Sequence, residues 1–224
     1  MAADKKWLAE KLRLYLICGE GHSPEENLRK SAEALAGGVT ALQLRVKSWS
    51  GRECYETALK LKALCREHGA LFLVNDRLDI ALAAGADGVH LGQKDMPVEA
   101  ARRIAGADFI IGGTARTPEL AREARRQGAD YIGCGAAFAT ATKSDAVVIG
   151  AEGIKKVIAA ADIPVVAIGG IELSNAAALA GCGASGIALS GALMRTRDPR
   201  AAAAALRKEA DTLLEPLSGG VTEI

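Results

Sequence analysis

The stretch ALFLVNDRLDIALAAGADGVHLG, residues 70–92, contains a complete strand–helix–strand pattern. The continuous apolar run at 70–75 is typical of a buried parallel strand, and the alanine-rich segment after it changes to the period of a helix. Gly85 is placed to end that helix in a left-handed conformation, just before a second apolar run at 88–92. The stretch therefore predicts a βαβ unit, which is the building block of a parallel sheet covered by helices.

The same unit recurs along the chain. The tripeptide Gly-Ala-Asp occurs at 85–87, 106–108 and 128–130, each time between an alanine-rich segment and an apolar run. This spacing indicates an internal repeat. Two helix starts combine a capping hydroxyl with a first-turn proline, at Ser23-Pro24 and Thr117-Pro118. Eight runs have the composition of buried strands: 13–18, 40–46, 70–75, 88–92, 109–114, 131–135, 164–169 and 186–191.

Eight βα units in a chain of 224 residues predict an α/β protein, a single (β/α)₈ TIM barrel. An open doubly wound sheet is disfavoured because no GxGxxG turn follows the first strand. We expect residues 1–12 to form an N-terminal helical extension, residues 13–216 the barrel, and residues 217–224 a flexible tail.

Composition excludes several classes of partner. The formal net charge of +1 argues against nucleic acid or an acidic membrane held by a general positive field. The five cysteines are far apart and form no CxxC pair, which indicates neither a disulfide framework nor a zinc site. Residues 1–12 lack the apolar core of a signal peptide, and no window has the length and hydrophobicity of a membrane span. We therefore expect a cytoplasmic protein with small-molecule ligands, and whether it forms a homo-oligomer stays open.

Polar residues at the end of the second predicted strand suggest an anion site. Gln43, Arg45 and Lys47 alternate along the strand and so point to one side of it. Charged residues at a strand end are often simply solvated. In a (β/α)₈ barrel, however, the reactive face lies at the carboxyl ends of the strands. Two cations and an amide at this place favour a polyanionic ligand such as a diphosphate.

Carboxylates follow the next two strands. Asn75 and Asp76 end the third strand, and Asp95 follows the fourth. Each aspartate alone could cap the helix that comes after it. A pair of carboxylates on adjacent strand ends, beside a cationic cluster, instead fits Mg²⁺, which takes oxygen ligands from one or two carboxylates, substrate phosphates and water.

Glycine-rich turns end the last two strands, at Gly169-Gly170 and Ser190-Gly191. Glycine there can serve only to permit a tight turn. The same position in many (β/α)₈ barrels binds phosphate on backbone N–H groups, and the presence of both loops favours that interpretation. The remaining strand-end polar residues are Thr114, Thr140, Thr142 and Lys143.

Two further residues are interpreted as structural. Cys134 is more often apolar filler than a nucleophile, and no basic residue is obviously placed to activate it. His90 lies inside the run GVHLG and reads as a core histidine. Neither is assigned a catalytic role.

Four segments together resemble the thiamine-phosphate synthase family. They are GGVTALQLRVK at 37–47, LVNDRLDIALAAGADGVHLGQKDMP at 73–97, TATK at 140–143 and VVAIGGI at 165–171, and the similarity extends over about 13–195. The resemblance implies a (β/α)₈ barrel that joins hydroxymethylpyrimidine diphosphate to thiazole phosphate and releases pyrophosphate with the help of Mg²⁺.

The resemblance also implies roles for individual residues. Asp76 and Asp95 would be the Mg²⁺ ligands. The pyrimidine diphosphate would be bound by Gln43, Arg45, Lys47 and Asn75, with Thr114 near the pyrimidine. The substrates' phosphates would be contacted by Thr140, Thr142 and Lys143, and the thiazole phosphate by Gly170 and the backbone around Ser190. Arg45, Lys47, Thr114 and Lys143 would take part in the chemical step. The implied mechanism is loss of diphosphate to leave a stabilised pyrimidinylmethyl cation, which the thiazole nitrogen attacks.

The segment after the sixth strand departs from the family pattern. Alanines at 136, 139 and 141 stand where the family usually has prolines. Since alanine does not fix the backbone as proline does, we expect a loop that is more mobile or partly helical.

Two other functions are compatible with a barrel of this kind. One is a paralogue resembling a thiazole tautomerase, which would bind thiazole phosphate and catalyse a proton shift. The other is a non-catalytic barrel that binds a phosphate ligand. The presence of Arg45, Asp76, Asp95 and Lys143 favours the synthase, because neither alternative needs a diphosphate site with metal carboxylates.

Overall fold

Eight parallel strands form a closed barrel in the computed structural model, which describes residues 4–139 and 147–213. Each strand pairs with the next, and the eighth pairs with the first. The strands are β1 Leu14–Gly19, β2 Ala41–Arg45, β3 Leu71–Asn75, β4 Gly88–Leu91, β5 Ile110–Thr114, β6 Tyr131–Cys134, β7 Val165–Ile168 and β8 Gly186–Leu189. All eight predicted strands are present, so the predicted (β/α)₈ fold is confirmed.

Helices cover the outside of the barrel. They are α1 Lys5–Lys11, α2 Pro24–Ala36, α3 Gly51–Glu67, α4 Leu78–Ala83, α5 Val98–Ala105, α6 Pro118–Arg126, α7 Gly150–Ala161, α8 Gly191–Met194 and α9 Pro199–Leu213, with a 3₁₀ helix at Ala176–Leu179. Both predicted caps are confirmed: Ser23 accepts from the N–H of Glu26, and Thr117 accepts from the N–H of Leu120. In the part of the chain that the structure describes, no helix combines the length and apolar character needed to cross a membrane.

Two of the three aspartates of the repeated tripeptide connect neighbouring strands. Asp87 Oδ2 accepts from the backbone N–H of Phe72 at 2.7 Å, and Asp130 Oδ2 accepts from that of Ile111 at 2.7 Å. Gly85 has a φ of 63°, the left-handed conformation predicted for the helix stop. Each of these two units therefore ends its helix at the glycine and ties the start of its strand to the preceding strand through the aspartate.

The barrel interior is a packed core that α1 closes at one end. Leu8, on α1, is 1% exposed, and Leu12, just after it, is fully buried. They share one apolar cluster with Tyr15, Ala41, Leu71, Leu73, Ile110, Tyr131, Val166 and Ala188. Because several of these residues lie at or near the starts of their strands, α1 covers the amino-terminal end of the barrel and leaves the carboxyl-terminal end open. The predicted tail, 217–224, lies outside the described residues.

Candidate active site

A cavity of about 520 Å³ lies at the carboxyl ends of the strands. It is lined by all of the sequence-predicted site residues that fall within the described ranges: Gln43, Arg45, Lys47, Asn75, Asp76, Asp95, Thr114, Gly170 and Ser190. The other predicted site residues, Thr140, Thr142 and Lys143, lie outside the described residues. The barrel thus collects side chains from strands far apart in sequence into one place.

Neither aspartate of the predicted metal pair caps a helix. The cap residue of α4 is Arg77, with no side-chain cap hydrogen bond, and that of α5 is Pro97. Asp95 Oδ2 instead accepts from the backbone N–H of Gly92 at 2.7 Å, which orders the turn after β4. Asp76 has a φ of 61°, an uncommon conformation for a residue other than glycine. The capping interpretation is therefore wrong for both.

The two carboxylates share one electrostatic environment. Burial, followed by the neighbouring Asp95, raises the pKa of Asp76 to about 6. Burial also opposes ionisation of Asp95, but hydrogen bonds from Asp76 and from the N–H of Gly92 outweigh it and lower the pKa of Asp95. Lys47 Nζ lies 3.7 Å from Asp76 Oδ2. Two carboxylates that disfavour each other's ionisation in this way are typical of a site suited to an added cation.

The donor set fits Mg²⁺ that is shared with a substrate. Within residues 4–139 and 147–213, no group of three or more His, Cys, Asp or Glu side chains is arranged to hold a metal ion alone. Mg²⁺ is usually bound by one or two carboxylates, with phosphate oxygens and water completing its six ligands. Asp76 and Asp95, which open into a cavity beside cationic side chains, match that pattern.

The carboxyl end of β2 places two cationic side chains on the cavity wall that contains Asp76 and Asp95. Arg45 is partly buried at the end of the strand, and the Lys47 side chain is 62% exposed. Glu20, which the sequence did not single out, accepts from the backbone N–H of Lys47 at 2.7 Å and from Ser48 Oγ at 2.8 Å. Lys47 is thus partly solvated, which agrees with the interpretation of strand-end charges as solvated residues. Its backbone is held in place by Glu20.

The loop after β7 forms the opposite wall. Asn175 Nδ2 donates to the carbonyl of Gly170 at 2.8 Å, and Asn175 Oδ1 accepts from the N–H of Glu172 at 2.9 Å. Gly170 has a φ of 66°, and a Cβ there would collide with the backbone oxygen of Ala139. The turn therefore requires glycine for its own geometry, while phosphate binding at this loop stays a prediction.

A chain of hydrogen bonds crosses the floor of the cavity. Gln43 Nε2 lies 2.6 Å from Tyr15 Oη, which lies 3.0 Å from Tyr131 Oη. Tyr131 Oη lies 3.0 Å from His90 Nδ1, and His90 Nε2 lies 2.9 Å from Thr114 Oγ1. We call these five residues the floor chain. His90 is hydrogen-bonded through both ring nitrogens, as expected of a satisfied histidine, but it also lines the cavity.

The segment after β6 runs along β7. The backbone N–H of Ala137 donates to Ile168 at 2.9 Å, and that of Phe138 donates to Gly169 at 2.9 Å. Ala136 and Ala137 are buried. Residues 136–139 contain no helical turn. The partly helical conformation offered for this loop is therefore not seen at 136 and 139, its mobility stays a prediction, and position 141 lies outside the described residues.

Three more residues complete the description of the site. Arg116 and Arg195 line the cavity although the sequence did not single them out, and Arg195 lies 3.8 Å from Glu172. Arg116 lies two residues after β5, and Arg195 lies in the turn after α8. Neither position belongs to a strand or helix pattern, so the periodicity of the sequence could not identify these residues. Burial raises the pKa of Cys134 to about 12, so its thiol is a poor nucleophile.

A family model described as thiamine monophosphate synthase matches residues 14–193. The chain belongs to the thiamine monophosphate synthase family. The match includes the whole floor chain and every described lining residue of the cavity except Arg195, so nearly all of the cavity lies within the matched part of the chain.

Similar proteins agree with this membership of the thiamine monophosphate synthase family. The thiamine-phosphate synthase of Coprothermobacter proteolyticus is 47% identical over 205 residues, which cover 91% of this chain and 97% of that protein. The thiamine-phosphate synthase of Pyrococcus furiosus is 48% identical over 208 residues, covering 92% and 99%. A solved structure of thiamine phosphate pyrophosphorylase from Pyrococcus furiosus has a TM-score of 0.86 at 45% identity and covers 93% of this chain and 100% of that one.

These comparisons confirm the predicted family, the predicted fold and the predicted transferase activity, thiamine-phosphate synthase. The roles of the individual cavity residues and of Mg²⁺ stay predictions.

Proposed function

We propose that the cavity couples hydroxymethylpyrimidine diphosphate to thiazole phosphate, giving thiamine phosphate and pyrophosphate. The observation that carries this proposal is the pair Asp76 and Asp95 beside Lys47, in the same cavity as the Gly170 and Ser190 turns. One wall suits a metal-bound diphosphate and the other suits a phosphate on backbone N–H groups. Two different anion sites in one cavity are what a reaction between two phosphorylated substrates requires.

The diphosphate would be held at the wall formed by β2, β3 and β4. Arg45 and Lys47 bring positive charge to its oxygens, and Asn75 offers an amide donor beside them. Lys143 would add a third cation from the segment after β6. Asp76 and Asp95 would hold Mg²⁺, which when bound supplies positive charge to the leaving diphosphate.

The chemical step is a dissociative substitution. The bond between the pyrimidine methylene carbon and the diphosphate oxygen breaks, and its electron pair leaves with the diphosphate. The resulting pyrimidinylmethyl cation is attacked by the thiazole nitrogen, which forms the new carbon–nitrogen bond. Arg45 and Lys47 stabilise the charge that builds on the leaving group, and Thr114 orients the pyrimidine.

The site needs little acid–base chemistry and good exclusion of water. No proton has to be removed before the thiazole nitrogen attacks, so the site needs no general base. Water must be kept from the cation, because capture by water would give the alcohol instead of the coupled product. The apolar side chains that line the cavity beneath the substrates, including Ile17, Val166 and Ile168, serve that purpose.

The thiazole phosphate would be held at the opposite wall. Gly170 and the backbone around Ser190 bring main-chain groups to the cavity, and Arg195 adds a cation. The carboxylate pair favours this synthase over a tautomerase or a simple phosphate-binding barrel, because neither of those uses a metal-bound diphosphate.

A coupling assay tests the proposal directly. Both substrates are supplied with and without Mg²⁺, and thiamine phosphate and pyrophosphate are measured together. We expect equal amounts of the two products, and only when both substrates and Mg²⁺ are present. Pyrophosphate release that does not depend on thiazole phosphate would point to another acceptor and contradict the proposal.

The metal assignment is tested by Asp95→Asn. Asparagine can still accept from the N–H of Gly92, so the turn is kept while the charge is lost. We expect Mg²⁺-dependent coupling to fall at least about a hundredfold, the usual effect of removing one group that stabilises the transition state. Asp79→Asn is the matched control, because Asp79 is exposed and pairs with Arg77 outside the cavity.

A further inference from the structure

Lys30 is a buried charge that the proposed chemical step does not involve. It lies on α2 and is 8% exposed. Within residues 4–139 and 147–213, it is the one buried side chain that carries a charge. Lysine is rarely buried unless it is paired, because taking its charge out of water costs free energy. The position of Lys30 must therefore be explained by what its ammonium group contacts.

The ammonium group of Lys30 has two partners on different helices. Its Nζ lies 3.3 Å from Glu26 Oε1, one turn earlier on α2. Hydrogen bonds from His22 and from Lys30 lower the pKa of Glu26, so this carboxylate is ionised. The Nζ of Lys30 also donates to the backbone carbonyl of Met194, which lies 164 residues further along the chain. Lys30 thus connects α2 to the end of α8.

Helix α8 depends on contacts with other parts of the chain. It has only four residues, Gly191–Met194, and a single helical turn is not stable by itself. The last carbonyl groups of a helix have no partner within it, and a positive charge close to them is favourable. The N–H of Met194 donates to the carbonyl of Ser190 at 2.8 Å. By binding the Met194 carbonyl, Lys30 therefore holds α8 together with the turn from which it starts.

The contact with Lys30 also fixes the backbone of Arg195. The Met194 carbonyl and the Arg195 N–H belong to one planar peptide group, and this N–H donates to the carbonyl of Gly191 at 3.0 Å. A Cβ on Gly191 would collide with the guanidinium of Arg195, so the guanidinium lies against the start of α8. The Arg195 side chain lines the cavity, is 65% exposed and lies 3.8 Å from Glu172. Because a long exposed side chain has many conformations, its place at the cavity wall depends on how firmly its backbone is held.

We propose that Lys30 is a positioning residue for the thiazole phosphate. By holding the peptide between Met194 and Arg195, it keeps the Arg195 guanidinium at the cavity wall formed by the Gly170 and Ser190 turns. Lys30 is not one of the residues that line the cavity, so it acts through Arg195 and not on the substrate. The inference rests on the proposed function, because it takes this wall as the site of the thiazole phosphate.

The test uses two substitutions of Lys30 and one control. Lys30→Met keeps an unbranched side chain of similar length but removes the ammonium group. Lys30→Gln keeps an amide donor for Glu26 but is one atom shorter and does not reach Met194 as lysine does. Arg29→Met is the matched control, because Arg29 is the exposed neighbour on α2 and pairs with Glu33. The coupling assay with Mg²⁺ gives kcat and the KM for each of the two substrates.

The expected result is a change in one KM only. We expect the KM for thiazole phosphate to rise about five- to tenfold in Lys30→Met and in Lys30→Gln, the equivalent of one net hydrogen bond. The KM for the pyrimidine diphosphate should stay within about twofold, because that substrate is bound at the opposite wall. Arg29→Met should change neither KM. A role in stability alone would lower the Tm without separating the two KM values.

A double-mutant cycle with Arg195→Gln tests whether Lys30 acts through Arg195. Arg195→Gln alone should raise the KM for thiazole phosphate, because it removes the cation from that wall. Adding Lys30→Met to Arg195→Gln should then raise this KM by less than about twofold more, since residues that act through one another are not additive. Two independent roles would instead give the full five- to tenfold rise again.

The outcomes separate the inference from the proposed function. Circular dichroism and thermal unfolding establish which variants are folded at the assay temperature. The inference is overturned if the KM for thiazole phosphate is unchanged in a folded Lys30 variant, if both KM values rise together, or if the effect of Lys30→Met persists in full beside Arg195→Gln. It is also overturned if neither Lys30 variant folds, because Lys30 would then support the fold as a whole. Failure of the wild-type chain to couple the two substrates would instead overturn the proposed function.

Discussion

Asp76 shows at the scale of one residue how a proposed metal ligand opposes stability. Its φ of 61° places it among the two non-glycine residues with positive φ in the described ranges, the other being Asp162. Burial and the nearby Asp95 also disfavour its charge, which is why its pKa rises to about 6. Strained and charged residues of this kind persist where function requires them.

Asp76→Asn should therefore stabilise the metal-free chain while abolishing coupling. Asparagine tolerates a left-handed backbone and removes the buried charge. We expect the free energy of unfolding at pH 8 to rise by on the order of 1–3 kcal/mol in buffer with a chelator, as measured by urea denaturation.

The pH dependence of this gain follows from the raised pKa. Because the folded pKa of Asp76 lies above the unfolded value, the cost of its ionisation builds up between about pH 4 and pH 6 and is fully present above that range. The gain should therefore shrink as the pH falls toward 4. Asp79→Asn should show no gain, since its hydrogen bond with Arg77 lowers the pKa of Asp79. A less stable Asp76→Asn at pH 8 would contradict this account.

The sequence predicted the residues of the cavity rim better than the two tyrosines of its floor. Arg45, Asp76 and Asp95 could be placed because each lies at or just after the carboxyl end of a predicted strand. Tyr15 and Tyr131 lie inside apolar runs, where tyrosine has the same pattern as any core residue. Only the three-dimensional structure shows that their hydroxyl oxygens lie within hydrogen-bond distance, 3.0 Å apart.

Helix α1 shows the same limit at the scale of an element. The charges of residues 1–12 and their position before β1 suggested an extension of the barrel. In the structure, α1 buries Leu8 in the interior cluster. The pattern of a short helix does not reveal what it covers, because that depends on which end of the barrel is open.

Leu8→Ala should destabilise the chain without changing its chemistry. Removing a fully buried leucine side chain leaves a cavity and costs about 2–5 kcal/mol. The active-site cavity opens at the other end of the barrel, so kcat for coupling at 25 °C should stay within about twofold. Urea denaturation and the coupling assay measure the two effects. Lys6→Ala, on the exposed side of α1, is the control and should change neither.

The repeated Gly-Ala-Asp was predicted only in part. Its glycine was identified as the helix stop from local backbone chemistry alone. The role of its aspartate depends on pairing between strands that are separated by a helix, as in the contact of Asp130 with Ile111 and with Arg102. Local patterns identify what ends an element, whereas contacts across the sheet appear only once its register is known.

At the scale of the whole molecule, the circular strand order separates the two proposed anion sites. The carboxylates follow β3 and β4, whereas the glycine turns follow β7 and β8, on the other side of the closed barrel. The barrel axis lies between them, and the floor chain crosses it below. In the proposed function, each wall would therefore bind its own anion without competing for the same side chains.

This separation predicts independent stabilisation by two ligands. Mg²⁺ with pyrophosphate should raise the Tm through the first wall, and thiazole phosphate should raise it through the second. A ligand at a hundred times its Kd stabilises the folded state by about 2.7 kcal/mol, which corresponds to a rise in Tm of roughly 5–10 °C for a domain of this size.

Asp95→Asn should lose the shift with Mg²⁺ and pyrophosphate but keep the shift with thiazole phosphate, while Asp79→Asn should keep both. If Asp95→Asn lost both shifts and remained folded, the two anions would have to share the carboxylate wall, and the assignment of the β7 and β8 turns to the thiazole phosphate would be wrong.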